Sequence, residues 1–191
     1  SEAVLNNSLR ILEGIGVSPE AATYLLARSR LTDALVGQSR WKDALANHQA
    51  SLDALSGDPG LGKRFRMNSV SAIMALLHTG QFDEADSLLR EKTSEAQQWL
   101  GVDHLNTAEF LALQAVVRAK QGKLDEALAL FRKTVPMLVS AMSEQADGSA
   151  LRAQRLALVF ETYLSVLGGV RGTVIEQQAG ISTADEAFLL S

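Results

Sequence analysis

The chain has 191 residues, 47% of them hydrophobic, with 3 Pro, 14 Gly, no Cys and a formal net charge of −4. Such a composition excludes a disordered segment, and the acidic balance argues against nucleic-acid or anionic-membrane binding, which needs a basic field. The lack of Cys excludes structural disulfides, thiolate metal sites and a cysteine nucleophile within these residues.

Aromatic residues make up only 5%, and the apolar residues are mostly Ala and Leu, which favours helix over strand and predicts an all-α protein. No run approaches the roughly 18 apolar residues that span a bilayer, and no basic-then-apolar signal segment opens the chain. With the missing Cys, this favours a cytoplasmic setting. The chain begins with Ser1 rather than Met, as expected of a piece excised from a longer protein.

In chain order, a helix is expected at 1–14, stopped by Gly14-Ile15-Gly16, and Ser18-Pro19-Glu20 then supplies a cap with Pro at the first position of a helix at 19–37. Ser39-Arg40-Trp41-Lys42-Asp43-Ala44 opens a helix at 40–56, and Gly57-Asp58-Pro59-Gly60 interrupts before one at 64–79. Gly80-Gln81-Phe82-Asp83-Glu84-Ala85 opens 81–100, a break runs from Asp103 to Thr107, and a helix follows at 106–121. Gly122-Lys123-Leu124-Asp125-Glu126-Ala127 opens 123–145. Helices at 150–167 and 183–190 close the chain, with the stretch from Gly168 to Ser182 the least regular.

Three of these openings are copies of one motif, with Ala44, Ala85 and Ala127 at intervals of 41 and 42 residues. Ala3 and the later Asp185-Glu186-Ala187 bracket them, the last after a longer interval. Each copy reads as a helix stop, an apolar plug and an acidic helix start that complements the positive end of the helix dipole. The small Ala lets two helices approach at the turn. A helix pair per repeat follows, about 19–56, 64–100, 106–145 and 150–190, in a single repeat domain over 1–191.

The spaced Gly-x-apolar-Asp-Glu-Ala motif resembles the tetratricopeptide repeat in the longer form found in kinesin light chain. Gly101-Val102-Asp103-His104-Leu105-Asn106-Thr107-Ala108 is similar to that family's inter-repeat loop, with Leu105 in place of its Pro. The likeness is strongest from Met67 to Leu138. It implies a right-handed α-solenoid of antiparallel helix pairs. Gln114 and Arg118 stand where the family has a large apolar and an aromatic residue, which implies looser packing there. The segment from Glu161 to Tyr163 and Leu164, continuing through Ala184 to Phe188, resembles the helical repeats preceding the caspase-like CHAT domain in large bacterial proteins. That resemblance implies a protease-like module elsewhere in the parent and a regulatory role for this piece.

Gly57 to Arg64 nearly matches the phosphate-binding loop Gly-x-x-x-x-Gly-Lys-Ser/Thr, but Arg64 replaces the magnesium-binding hydroxyl and a helix, not a strand, is expected before it. An inter-repeat loop is the better reading. His48, His78 and His104 lack the short spacings of metal ligands. His48 is expected on a helix surface and His78 near a helix end. No Gly-x-Ser-x-Gly elbow occurs, and the basic run Lys63-Arg64-Phe65-Arg66 reads as a solvated helix start. No catalytic, metal or cofactor site is expected.

The groove lined by the first helix of each pair is the expected place of function. The family's inner-face pattern implies that Ser29, Asp33, Met67, Val70, Met74, His78, Glu109, Val116, Lys120, Arg155 and Thr162 face it. Met67 and Met74 suit adaptable apolar contact, while Lys120, Arg155 and Glu109 suit charged anchors. Met67, Val70 and Met74 read equally well as inter-repeat core. The expected partner is a protein or peptide, including another domain of the parent, with the chain a monomer or weak homodimer. Self-association through an exposed Phe188-Leu189-Leu190 and a helical nucleotide enzyme are the alternatives.

Overall fold

The computed structural model describes residues 2–144, 149–180 and 182–188; all its regular elements are helices, with no strand among the described residues. The chain separates into two compact units, Ser1–Leu88 and Leu89–Ser191.

The first unit contains α1 (Glu2–Gly14), α2 (Ala22–Gly37), α3 (Trp41–Ala54), α4 (Pro59–Asn68), α5 (Val70–His78) and the start of α6 (Phe82–Leu100). Its core is built from Tyr24, Leu31, Leu35 and Val36 of α2, Ala44 of α3 and an unbroken buried run from Ser71 to Leu77 in α5. Burial of a run longer than one helical turn means that α5 is covered on every side, as befits a helix packed against both α2 and α3. Polar links fix the outer elements. The Tyr24 hydroxyl donates to Glu13 at 2.6 Å, and Arg40 donates to both carboxylate oxygens of Glu2, at 2.7 and 2.8 Å, and to Asp43 at 2.7 Å.

The repeated turn works as its residues suggest. Ser39, Gly80 and Gly122 all have positive φ, at 58°, 79° and 78°. The following N–H bonds back five residues at 2.9 Å in every copy, Arg40 to Leu35, Gln81 to Leu76 and Lys123 to Arg118. This is the left-handed helix stop that glycine adopts without steric cost.

Several boundaries differ from the sequence expectation. α2 starts at Ala22 rather than 19, because Pro19 lies in a turn closed by Ala21 N–H to Ser18 O at 2.9 Å. The single helix expected at 64–79 is two. Asp58 caps α4 by accepting from Leu61 N–H at 2.9 Å with Pro59 at the first position, and Ser69 ends it and caps α5 through Ala72 N–H at 3.2 Å.

The second unit contains the rest of α6, then α7 (Leu105–Lys120), α8 (Leu124–Glu144), α9 (Ala150–Val170), α10 (Val174–Ala179) and α11 (Thr183–Phe188). Helix α9 packs on α7 and α8 and carries α10 and α11 against its later turns. It runs through Gly168 and Gly169, beyond its expected end, because Val166, Leu167 and Val170 are buried. Phe131, Leu138, Leu113, Val117 and Leu167 form the core. Gln114 and Arg118, the two family-atypical positions, find polar partners: Gln114 donates to Thr93 at 3.2 Å and Arg118 pairs with Glu126 at 3.2 Å. The Glu176 carboxylate accepts from Gly172 N–H and from both the N–H and the hydroxyl of Thr183, which ties α10 to α11.

Candidate protein-interaction site

In the second unit the candidate residues gather at two places on α7 and α9. Ser149 caps α9 through Arg152 N–H at 3.3 Å, placing Arg152 and Arg155 one turn apart. Both guanidinium groups donate to Glu109 of α7, Arg152 Nε at 2.6 Å and Arg155 Nη2 at 3.3 Å. Glu109 is only 8% exposed, so the pairing keeps a carboxylate from being stranded away from water. Two cations share one anion, and Arg152 Nη2 is buried with no hydrogen-bond partner among the described residues.

Farther along the same helices, Lys120 and Thr162 line one cavity of about 380 Å³. Leu158 and Val166 supply apolar wall, and the exposed Glu161 and Ser165 stand beside them. Thr162 donates its hydroxyl to Leu158 O of its own helix at 2.7 Å. Val116, between the two places in α7, is fully buried at 0% exposure and is core.

The first unit distributes its candidates differently. Asp33 is half-buried, accepting from the Ser71 hydroxyl at 2.6 Å and lying 3.7 Å from Arg30. Ser29 and Val70 are half-buried. Met74, at 2% exposure, sits inside the core run of α5. His78 is exposed and stacks on Trp41 with ring centroids 3.9 Å apart and planes 6° from parallel. The side chain of Met67 lies outside the described residues, as do those of Phe188, Leu189 and Leu190 on which the self-association expectation rested.

Arg152, Glu161 and Ser165 belong to the α7–α9 surface and were missed in sequence. A signal existed, since Arg152, Arg155, Leu158, Thr162 and Ser165 follow one another at three- and four-residue steps, with Glu161 three residues beyond Leu158.

The histidines serve separate structural purposes. His104 Nδ1 accepts from Asn106 N–H at 3.1 Å and caps α7, while the Thr107 hydroxyl donates back to Gly101 O at 2.8 Å. His48, expected on a surface, is buried at 6% exposure and stacks on Phe65 with centroids 5.5 Å apart. It lies four residues beyond the repeat Ala44, one turn on along the packed face of α3. Burial and the nearby Arg66 cation push its pKa down to about 4.

The glycine loop at Gly57 follows α3, not a strand, and the Asp58 carboxylate already occupies the N-terminus of α4. An anion there repels a phosphate group. No helix among the described residues is long and apolar enough to cross a membrane.

No curated protein matches the chain. Residues 66–138 match the family model of the tetratricopeptide repeat, a stretch that holds two copies of the turn motif and the His104 loop.

Proposed function

We propose that this chain is a protein-interaction module and that the α7–α9 surface of its second unit takes a peptide or a segment of a partner domain. Tetratricopeptide repeats generally mediate protein–protein interaction, and the match covers α7 entirely. The observation that carries the reading is the convergence of Lys120 and Thr162 on one cavity, with the Arg152–Glu109–Arg155 cluster on the same two helices. The helices are ordered by their own packing, so the ligand bears most of the ordering cost. Cations outnumber anions in the arginine cluster, which favours an acidic ligand group at that end. At the cavity, Lys120 and Glu161 suit a ligand of mixed charge.

Peptide display against the wild-type chain tests this. Selected peptides are expected to lose about tenfold or more in affinity in Ser165→Arg, which fills the cavity from an exposed position, and in Lys120→Glu. Peptides indifferent to both substitutions would place recognition elsewhere. A second reading, self-association, is favoured by the exposed Val139 of α8, which lines a cavity of about 520 Å³ with Val135, Pro136 and Tyr163, and by the exposed Met142 on the same helix. Sedimentation equilibrium separates the two, because a monomer at high concentration removes the second.

A further inference from the structure

In the first unit, helix α4 packs on α3. Phe65 stacks on His48 of that helix, and both Phe65 and Leu61 are half-buried. At roughly 100° per residue, Leu61 and Phe65 share one side of α4, while Lys63, Arg64 and Arg66 fall within an arc of about 160° on the other. All three cations are exposed. None of them forms an ion pair among the described residues, whereas Arg30 and Arg40 of the same unit are paired with Asp33 and with Glu2 and Asp43. Arg66 stands in the last turn, where a cation complements the helix dipole. Lys63 and Arg64 come before that turn and have no such role. The charge is felt inside the unit, since Arg66 adds to the burial that holds the His48 imidazole neutral.

We propose that this face of α4 docks an acidic segment of a protein partner, a run of aspartate and glutamate residues whose carboxylates meet Lys63, Arg64 and Arg66.

Three kinds of polyanion carry charge of the right sign, and the surroundings of the patch select one. A nucleic acid needs a longer basic track and aromatic rings on which its bases stack. The ring of α4, Phe65, is already turned inward on His48. An anionic membrane holds a helix by burying apolar side chains beneath the charged ones, and no large apolar side chain of α4 is exposed among the described residues. A net charge of −4 also repels both extended polyanions wherever they reach past the patch. An acidic peptide run has the matching size, because about three or four residues of extended chain cross a helix face roughly 10 Å wide. Arginine adds fit, since a guanidinium takes a carboxylate through two parallel hydrogen bonds. The site is in the other unit from the α7–α9 surface, so either assignment can fail alone.

The test is amide 15N–1H NMR of the wild-type chain at low salt, titrated with an acetylated and amidated penta-glutamate peptide and with its penta-glutamine counterpart. Saturable movement of the amides from Leu61 to Arg66 is expected with the glutamate peptide alone, weakening about tenfold when salt is raised to about 0.3 M. No movement there, or equal movement with the glutamine peptide, would remove the site. Movement confined to α9 would assign the peptide to the arginine cluster of the second unit and overturn this proposal while leaving that one standing. Joint replacement Lys63→Ala, Arg64→Ala and Arg66→Ala, all at exposed positions, should lower the affinity about tenfold or more. The pair Lys63→Arg and Arg64→Lys keeps the charge and should keep the binding. Binding retained in the triple variant would overturn the proposal, and tighter binding of a thymidine 20-mer or of phosphatidylserine vesicles through the same three residues would overturn the assignment to a protein partner.

Discussion

The two units place different residues at one repeat position. Four residues beyond the repeat alanine, the first unit has His48 and the second has Phe131. Phe131 is wholly buried, with its ring 5.0 Å from that of Tyr163, and His48 is nearly as buried against Phe65. The repeat frame sends both side chains inward. What differs is the cost, since the phenyl ring has no polar atom to satisfy and the imidazole must stay neutral and leave a nitrogen unpaired.

The harshest way to break this comparison is to remove the aromatic that has no polar cost. Phe131→Ala should destabilise the second unit by about 3–5 kcal/mol, the loss typical of a large buried ring with little room to collapse. Urea unfolding followed by hydrogen exchange of the α8 and α9 amides measures it. A loss under about 1 kcal/mol would mean that this position is not the centre of the core.

At His48 the comparison sharpens with pH. The folded pKa is about 4, against 6.5 for the free side chain. Above 6.5 neither state holds the proton and stability is complete. As pH falls from 6.5 the unfolded chain takes up the proton first, so stability declines until both states are protonated below about 4. The full loss is on the order of 3 kcal/mol. His48→Phe should flatten the profile between pH 6.5 and 5, a window above ordinary carboxylate titration. Glu176 supplies a contrast in the second unit. Its acceptance of bonds from Thr183 and Gly172 holds its pKa down to about 2, so its contribution is present above about 4.5 and is lost only as pH falls toward 2. Urea midpoints at pH 7, 5.5, 4.5 and 3 separate these windows. A wild-type profile already flat above pH 5 would show that His48 is not held neutral.

A smaller loss is expected at Glu109, where the second unit has its own polar problem and solves it by pairing. Glu109→Gln leaves two guanidinium groups largely buried with no anion and should cost about 2 kcal/mol. The accompanying Arg155→Gln should restore part of that, measured as a double-mutant cycle. Strict additivity of the two changes would show that Glu109 is not the charge holding Arg155.

These particulars mark where sequence reading succeeds. The turn motif was legible because a left-handed helix stop and an acidic helix start leave their residue types in the chain, and it gave the helix order and the loop capped by His104. Core and surface within a helix were harder. In α5 seven consecutive residues are buried, so the periodicity that marks an inner face vanishes, and Met74 looks the same as a groove residue. The break at Ser69 was hidden because a serine that caps one helix and ends another carries no signal beyond its own hydroxyl. Lys120 and Thr162 could be placed on α7 and α9 by spacing, but that they share a cavity depends on how α9 packs, which no local pattern records.

The smallest effect compares the copies at the turn itself. Ser39 adopts φ 58°, where Gly80 and Gly122 stand in the later repeats at 79° and 78°. A Cβ in that conformation crowds its own backbone at a cost of about 1–2 kcal/mol, while glycine gives back part of the gain through its greater freedom when unfolded. Ser39→Gly should therefore stabilise the first unit by about 0.5–1 kcal/mol. Gly122→Ala should cost about 1 kcal/mol in the second. A Cβ at Gly122 would meet nothing within 4 Å, so that cost is entirely backbone and the two substitutions report the same strain with opposite sign. Thermal melts of both variants read it directly. If Ser39→Gly instead lowers the melting temperature, the serine hydroxyl contributes more than the left-handed backbone costs, and the first copy of the motif stops its helix by different chemistry from the other two.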